Sequence, residues 1–175
     1  MTIFLIRHGE TTGDIEDRYG GAYDDRLTEQ GRAQLAETAT RLLGKTIDRM
    51  YVSTLTRARE SADIILETIP TPVEYLDGLR ERDYGVLGGL TKAEVLANYP
   101  EAVELHKDPA NTDPEGESQA DFIKRVVDTF ETIRHSGHES VAIVAHGGPI
   151  KVILTHLGEP LPERIGDGEI IEVEV

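Results

Sequence analysis

The chain contains no cysteine. Disulfides, thiolate metal sites and a cysteine nucleophile are therefore excluded. It also lacks any apolar run near the ~20 residues that a membrane span needs. The short apolar run at its start has no basic region before it, so a signal peptide is not expected. No membrane partner is expected, and the cytoplasm is the expected location. Positive charge is scarce too: 18 Lys and Arg stand against 33 Asp and Glu, a formal net charge of −15. That balance argues against nucleic acid as a partner. It does not exclude a small anionic ligand. Fields from exposed charges fade over ~8 Å at physiological ionic strength. A cation ~4 Å from a bound anion contributes ~4 kcal/mol at an effective dielectric near 20, so a few local arginines outweigh a distant acidic surface.

At 175 residues the chain suits one domain, residues 1–175, with one core. Strand-like and helix-like stretches alternate. Thr2–Ile6, Arg49–Ser53, Val73–Leu76 and Ser140–Ala145 read as strands. Helical spacing of apolar residues marks Thr28–Leu43, Thr56–Ile69 and Ser118–His135, and a helix is also read at Pro149–Leu157. Thr91–Asn98 opens with a capping box, Thr91 and Glu94. Ser118 is expected to cap its helix, with Asp121 in the first turn. Glu169–Val175 alternates like a half-exposed edge strand, one that could pair between subunits in a homodimer. His106–Ser118, rich in Pro, Asp, Asn and Gly, reads as a loop over a site. Continuous apolar strands between amphipathic helices predict an α/β fold, a three-layer α/β/α sandwich on a mostly parallel sheet.

Ligands of open α/β sheets bind at the carboxyl ends of strands. Here the first strand is followed by "RHGE", the second by "STLTRARES", the third by "DGLRERDYG" and the fourth by "HGGPIK". Polar chemistry returns to one edge four times. Two histidines, His8 and His146, are each followed by glycine. With them come Arg7, Arg57, Glu10 and Glu81. A guanidinium offers a planar fork of donors to tetrahedral phosphate oxygens, glycine lets backbone approach a ligand closely, and histidine is a nucleophile toward phosphorus. For attack, His8 must present an unprotonated nitrogen, so its other nitrogen should donate to a fixed acceptor such as a backbone carbonyl. A metal shared by His8 and His146 lacks a clear third ligand, and the arginines would repel it. No metal is expected.

The five segments "RHGETTGDIEDRYGGAYDDRLTEQG", "STLTRARESA", "LRERDYGVLGGLTKAE", "GES" and "VAHGGPI" occur in an order that resembles the histidine phosphatase superfamily, also called phosphoglycerate mutase-like. The resemblance covers nearly the whole chain. It implies that His8 takes the phosphoryl group, that Arg7, Arg57 and His146 hold its oxygens, and that Glu81 protonates the leaving alcohol and then activates water. It implies a small phosphorylated metabolite as substrate and no cofactor for hydrolysis. Asp83 and Glu10 are rival acids, although Glu10 is expected to brace the loop or an arginine. Thr11 is placed to bond phosphate or to satisfy a turn, Gly21 to allow a tight turn beside the phosphate, and Gly147 to let backbone near it.

The chain departs from the family pattern at "RHGETTGD". Gly13 and Asp14 stand where many members have Trp and Asn. A carboxylate cannot donate to phosphate unless protonated, so Asp14 is expected to turn away, pair with Arg18 or bind a hydroxyl of the leaving group. Arg82, Tyr84 and Lys92 sit where mutases grip substrate. Yet Tyr99–Pro109 lacks the paired arginines of mutases, and the chain is shorter. Hydrolysis is the favoured reading. A mutase primed by 2,3-bisphosphoglycerate is the alternative, and a non-catalytic binder of phosphorylated ligands is a third.

Overall fold

The computed structural model describes residues 1–175. Five strands form one sheet: β1 (Thr2–Arg7), β2 (Arg49–Ser53), β3 (Val73–Leu76), β4 (Ser140–Ala145) and β5 (Ile170–Glu174). Their order is β3-β2-β4-β1-β5. All neighbours are parallel except β5, which runs antiparallel to β1 along one edge. β4 and the core of β1 are buried throughout, as their continuous apolar runs predict. The exposed-to-buried alternation of β5 fits an edge position.

There are seven helices: α1 (Thr12–Ile15), α2 (Glu29–Arg41), α3 (Thr56–Thr68), α4 (Lys92–Asn98), α5 (Pro100–His106), α6 (Gln119–Arg134) and α7 (Gly147–Leu157). Of these, α2, α3, α6 and α7 pack on the sheet. Each face of the sheet has its own core. On one, Phe122, Val126, Phe130 and Ile133 of α6 meet Ile150, Ile153 and Leu154 of α7 over Ile3, Leu5 and Ile143. On the other, Leu35 and Ala39 of α2 join Ala58, Ala62 and Ile65 of α3 over Phe4, Ile6, Val52 and Val144. This is the expected three-layer sandwich.

The caps follow the sequence closely. Thr28 accepts from the Gly31 amide and Ser118 from the Asp121 amide, and Thr91 with Glu94 forms a reciprocal box. Three elements differ from expectation. The last main helix begins at Gly147, two residues before Pro149, because the glycines after His146 are already helical. A short helix, α5, precedes the acidic loop, with proline in its first turn, where its missing N–H costs nothing. Thr12–Ile15 also closes one helical turn. No helix is long and apolar enough to cross a membrane.

Leu35 is fully buried, and its Cδ2 lies against the backbone of Gly9, directly after His8. Leu35→Ala should destabilise the fold by about 2–5 kcal/mol, the range for an unrelaxed leucine cavity. Urea unfolding at neutral pH measures it.

Candidate active site

The parallel pairing of β1 with β4 sets Arg7 opposite Ala145. The next residue on each strand is a histidine, so the register delivers two imidazoles side by side. The His8 amide donates to the Ala145 carbonyl at 3.1 Å, and the His8 and His146 rings lie 5.1 Å apart, tilted by 57°. β2, on the far side of β4, supplies Ser53 at its end, and the first turn of α3 supplies Arg57. His8, His146, Ser53 and Arg57 are all buried.

Hydrogen-bond partners assign the tautomers. His8 Nδ1 lies 2.8 Å from the Gly9 carbonyl, which only accepts, so Nδ1 carries the proton and Nε2 the lone pair. That lone pair meets the Arg57 Nε–H at 3.2 Å. The same N–H reaches His146 Nδ1 at 3.1 Å. His146 Nε2 therefore carries hydrogen and donates to Ser53 Oγ at 2.7 Å. One guanidinium N–H is thus shared by two imidazole lone pairs. The rest of Arg57 is fixed: Nη1 donates to the Tyr23 carbonyl at 2.6 Å and Asp25 Oδ1 at 2.8 Å, and Nη2 to the Gly21 carbonyl at 2.7 Å. Gly21 has φ +57°, and a Cβ there would stand 2.7 Å from both the Arg82 carbonyl and the Tyr84 ring. Its role is to turn its carbonyl toward Arg57, the tight turn expected of it.

Burial, and next the Arg57 charge, hold both imidazoles well below the ordinary histidine range. Both are neutral at pH 7, so each ring presents one N–H and one lone pair. Arg7 donates through Nη1 to the Ile165 carbonyl at 2.5 Å and pairs through Nη2 with Asp167 at 3.1 Å, while its buried Nε has no partner. Burial raises Asp167 more than the Arg7 ion pair lowers it. Neither Asp25 nor Asp167 stands out in the sequence as a site residue. Each is an acidic residue in a polar loop, marked only by the arginine it meets in the fold.

Glu81 sits at the N-terminus of α7. Its Oε1 accepts from the Arg82 amide and its Oε2 from the Gly148 amide, each at 2.9 Å. This geometry anchors the carboxyl by two main-chain amides in the cavity wall. Gly148 is required here, because a Cβ would overlap the carboxylate. Gly147 has no such neighbour and lies open. Glu10 accepts from the Thr28 hydroxyl at 2.7 Å, bracing the loop.

Four residues considered for ligand binding have their side chains engaged within the protein, Thr11 in a turn and Asp14 turned to it. Thr11 caps α1, giving its hydroxyl to Asp14 Oδ2 at 2.8 Å, while Asp14 Oδ2 also accepts from the Thr11 amide at 2.9 Å. Both side chains are occupied by this box, and Arg18 pairs with Glu16 instead of Asp14. Lys92 pairs with exposed Asp17 at 2.5 Å and lines no part of the cavity. Arg82 is buried, and its guanidinium holds the acidic loop: Nε to the Glu117 carbonyl, Nη1 to the Pro109 carbonyl and Gln119 Oε1, and Nη2 to the Asn111 carbonyl, all within 2.9 Å. Four of its five N–H groups are thus engaged within the protein, although Arg82 also lines the cavity. Tyr84 does line the cavity, its ring edge against His106 at 4.7 Å, and burial raises its hydroxyl pKa.

A cavity of about 810 Å³ has Arg7, Glu81, Arg82, Tyr84, Gly147, Gly148 and Lys151 in its wall, while His8, Arg57 and His146 are not among its lining residues. No three His, Cys, Asp or Glu side chains converge as a metal site.

Two outcomes test this geometry. A histidine whose folded pKa is depressed binds fewer protons folded than unfolded. Its contribution to stability is full above about pH 6.5 and is lost as pH falls below it toward the folded value. With two such groups, His8 and His146 should make unfolding free energy fall on acidification from pH 7.5 to 5.5, by at most about 2.7 kcal/mol per pH unit. The double substitution His8→Asn with His146→Asn should flatten that slope in urea titrations. In contrast, Gly148→Ala should leave global stability nearly unchanged but displace Glu81, lowering turnover about 100-fold or more if Glu81 handles a proton in the reaction.

The sequence model described as histidine phosphatase superfamily (branch 1) matches residues 3–170. A Schizosaccharomyces pombe protein named probable phosphatase C1687.21 is 34% identical over 167 residues, covering 91% of this chain and 74% of its own. A Gloeobacter violaceus 2,3-bisphosphoglycerate-dependent phosphoglycerate mutase 2 is 31% identical over 98% of this chain and 81% of its own. The crystal structure of mycobacterial glucosyl-3-phosphoglycerate phosphatase Rv2419c complexed with VO3 superimposes with a TM-score of 0.83, at 26% identity, over 99% of this chain and 92% of the other. With two neutral imidazoles sharing an arginine at the ends of adjacent parallel strands, and a family match spanning nearly every residue, the chain belongs to the histidine phosphatase superfamily.

Proposed function

We propose that this chain is a phosphomonoester hydrolase acting through a phosphohistidine on His8. The observation that carries the reading is the tautomer of His8: the Gly9 carbonyl holds Nδ1–H, leaving the Nε2 lone pair beside Arg57. On substrate arrival, the Arg57 Nε–H turns from that lone pair to a phosphoryl oxygen. The unpartnered Nε–H of Arg7 adds a second donor for the phosphoryl oxygens. His146 joins them in its other tautomer, with Nδ1–H toward phosphate and Nε2 accepting from the Ser53 hydroxyl, so substrate arrival also moves that ring's proton. The His8 lone pair forms an N–P bond as the ester P–O bond breaks, and the Glu81 carboxyl gives its proton to the leaving alkoxide. Water then attacks phosphorus, Glu81 takes its proton, and the N–P electron pair returns to His8, releasing phosphate. Positioning and charge stabilisation supply most of such a reaction, and these groups call for no organic cofactor or metal.

Hydrolysis is favoured over mutase chemistry by the placement of the outer cations. A mutase must grip a bisphosphate and keep water from the phosphohistidine. Here Lys92 pairs with Asp17 away from the cavity, and four of the five N–H groups of Arg82 are engaged within the protein, which leaves little for a second phosphate.

His8→Ala should abolish turnover while the protein stays folded. Brief labelling of the native enzyme should yield acid-labile, base-stable phosphoprotein. An active His8→Ala protein overturns the assignment. Glu81→Gln should slow alkyl phosphates more than activated aryl phosphates, by about 100- to 10,000-fold for the former; equal losses on both would remove Glu81 from the proton transfer. Isomerisation of 3-phosphoglycerate faster than phosphate release would establish the mutase.

A further inference from the structure

The cavity lined by Arg7 and Glu81 also carries an apolar strip within an otherwise largely polar wall. From α6 come Phe122, Ile123 and Val127, from α7 Val152, and from the segment before β5 Ile165. Ile123 and Val127 are four residues apart and so share one face of the helix. Ile123 is 40% exposed, unusual for an isoleucine on a helix whose other apolar residues are mostly buried. Clefts of about 300–1,000 Å³ bury most of a drug-sized ligand, so a volume of about 810 Å³ is far more than a triose phosphate fills.

The charges in this wall point the same way. Arg82 is engaged by four acceptors, and Arg7 is paired with Asp167. Lys151 and Arg164 are exposed cations on the rim, in a wall that also carries Asp108 and Glu163. A second anionic group on the substrate would find the buried cations already engaged and the remaining ones in solvent, where salt screens them. An apolar body would find surface already dry on one side.

We infer that the site prefers phosphomonoesters of bulky alcohols carrying an aromatic or other apolar ring-bearing body, seated along Ile123, Val127 and Val152, over small or doubly anionic esters. The inference rests on the hydrolase reading for the position of the phosphoryl end. Burial of about 55 Å² of apolar ligand surface suffices for a tenfold gain.

The test compares 2-(1-naphthyl)ethyl phosphate with ethyl phosphate, whose leaving groups are both primary alkoxides, and with 3-phosphoglycerate. The naphthyl ester should have a kcat/KM at least tenfold above either of the others, mainly through KM. Ile123→Glu, a good helix former at an exposed position, should reduce the naphthyl-to-ethyl ratio at least fivefold. Equal kcat/KM for the two alkyl esters, a preference for 3-phosphoglycerate, or a ratio indifferent to Ile123→Glu would overturn the inference. Calorimetry with the non-hydrolysable 2-(1-naphthyl)ethylphosphonate and ethylphosphonate separates this claim from the hydrolase reading. Tenfold tighter binding of the naphthyl compound, with no ester hydrolysed, would uphold the pocket and remove the hydrolase. Hydrolysis of all esters with equal phosphonate affinities would do the reverse.

Discussion

The site depends on a single hydrogen-bond donor shared between two acceptors. The Arg57 Nε–H lies about equally far from His8 Nε2 and His146 Nδ1, at 3.2 and 3.1 Å. That arrangement is possible only while both rings are neutral, and burial keeps them so. It is also possible only because β1 and β4 are parallel neighbours in a register that ends both strands at the same level. A shift of one residue would turn one imidazole to the other face of the sheet. Backbone pairing across the centre of the core thereby fixes side-chain chemistry at its rim.

The strong acidity of the chain does not conflict with an anionic substrate. The negative charge lies largely on exposed side chains, where salt screens it. Inside, the cations are held close by individual partners: Arg57 by buried Asp25, Arg7 by half-buried Asp167. Each carboxylate fixes its guanidinium while leaving at least one N–H for something else. Arginine suits this better than lysine because its planar fork can satisfy a structural partner and a ligand in different directions at once.

Much of this was legible in the sequence, and for physical reasons. Four apolar strands each followed by polar chemistry announced both the parallel sheet and its active edge, and hydroxyl caps at Thr28, Thr91 and Ser118 marked helix starts within a residue. What stayed hidden depended on partners distant in the chain. Nothing local shows that Arg82 faces three carbonyls of a loop about thirty residues away. The box of Thr11 and Asp14, by contrast, is local and has the same spacing as that of Thr91 and Glu94. The helical state of Gly147 and Gly148 was masked by the poor intrinsic propensity of glycine, which the surrounding packing overrides. The short α5 is too brief to show periodicity.

Residue 82 works in two directions. Its main-chain amide supports the Glu81 carboxyl, and its side chain anchors the loop that walls the cavity. Remodelling that loop is therefore not independent of the Glu81 carboxyl. A lineage that reshaped the wall would need to keep carbonyl oxygens within reach of the same guanidinium, or else disturb that carboxyl. Divergence in specificity is thereby channelled toward the helix-borne apolar side chains, which can be exchanged one at a time without touching that linkage.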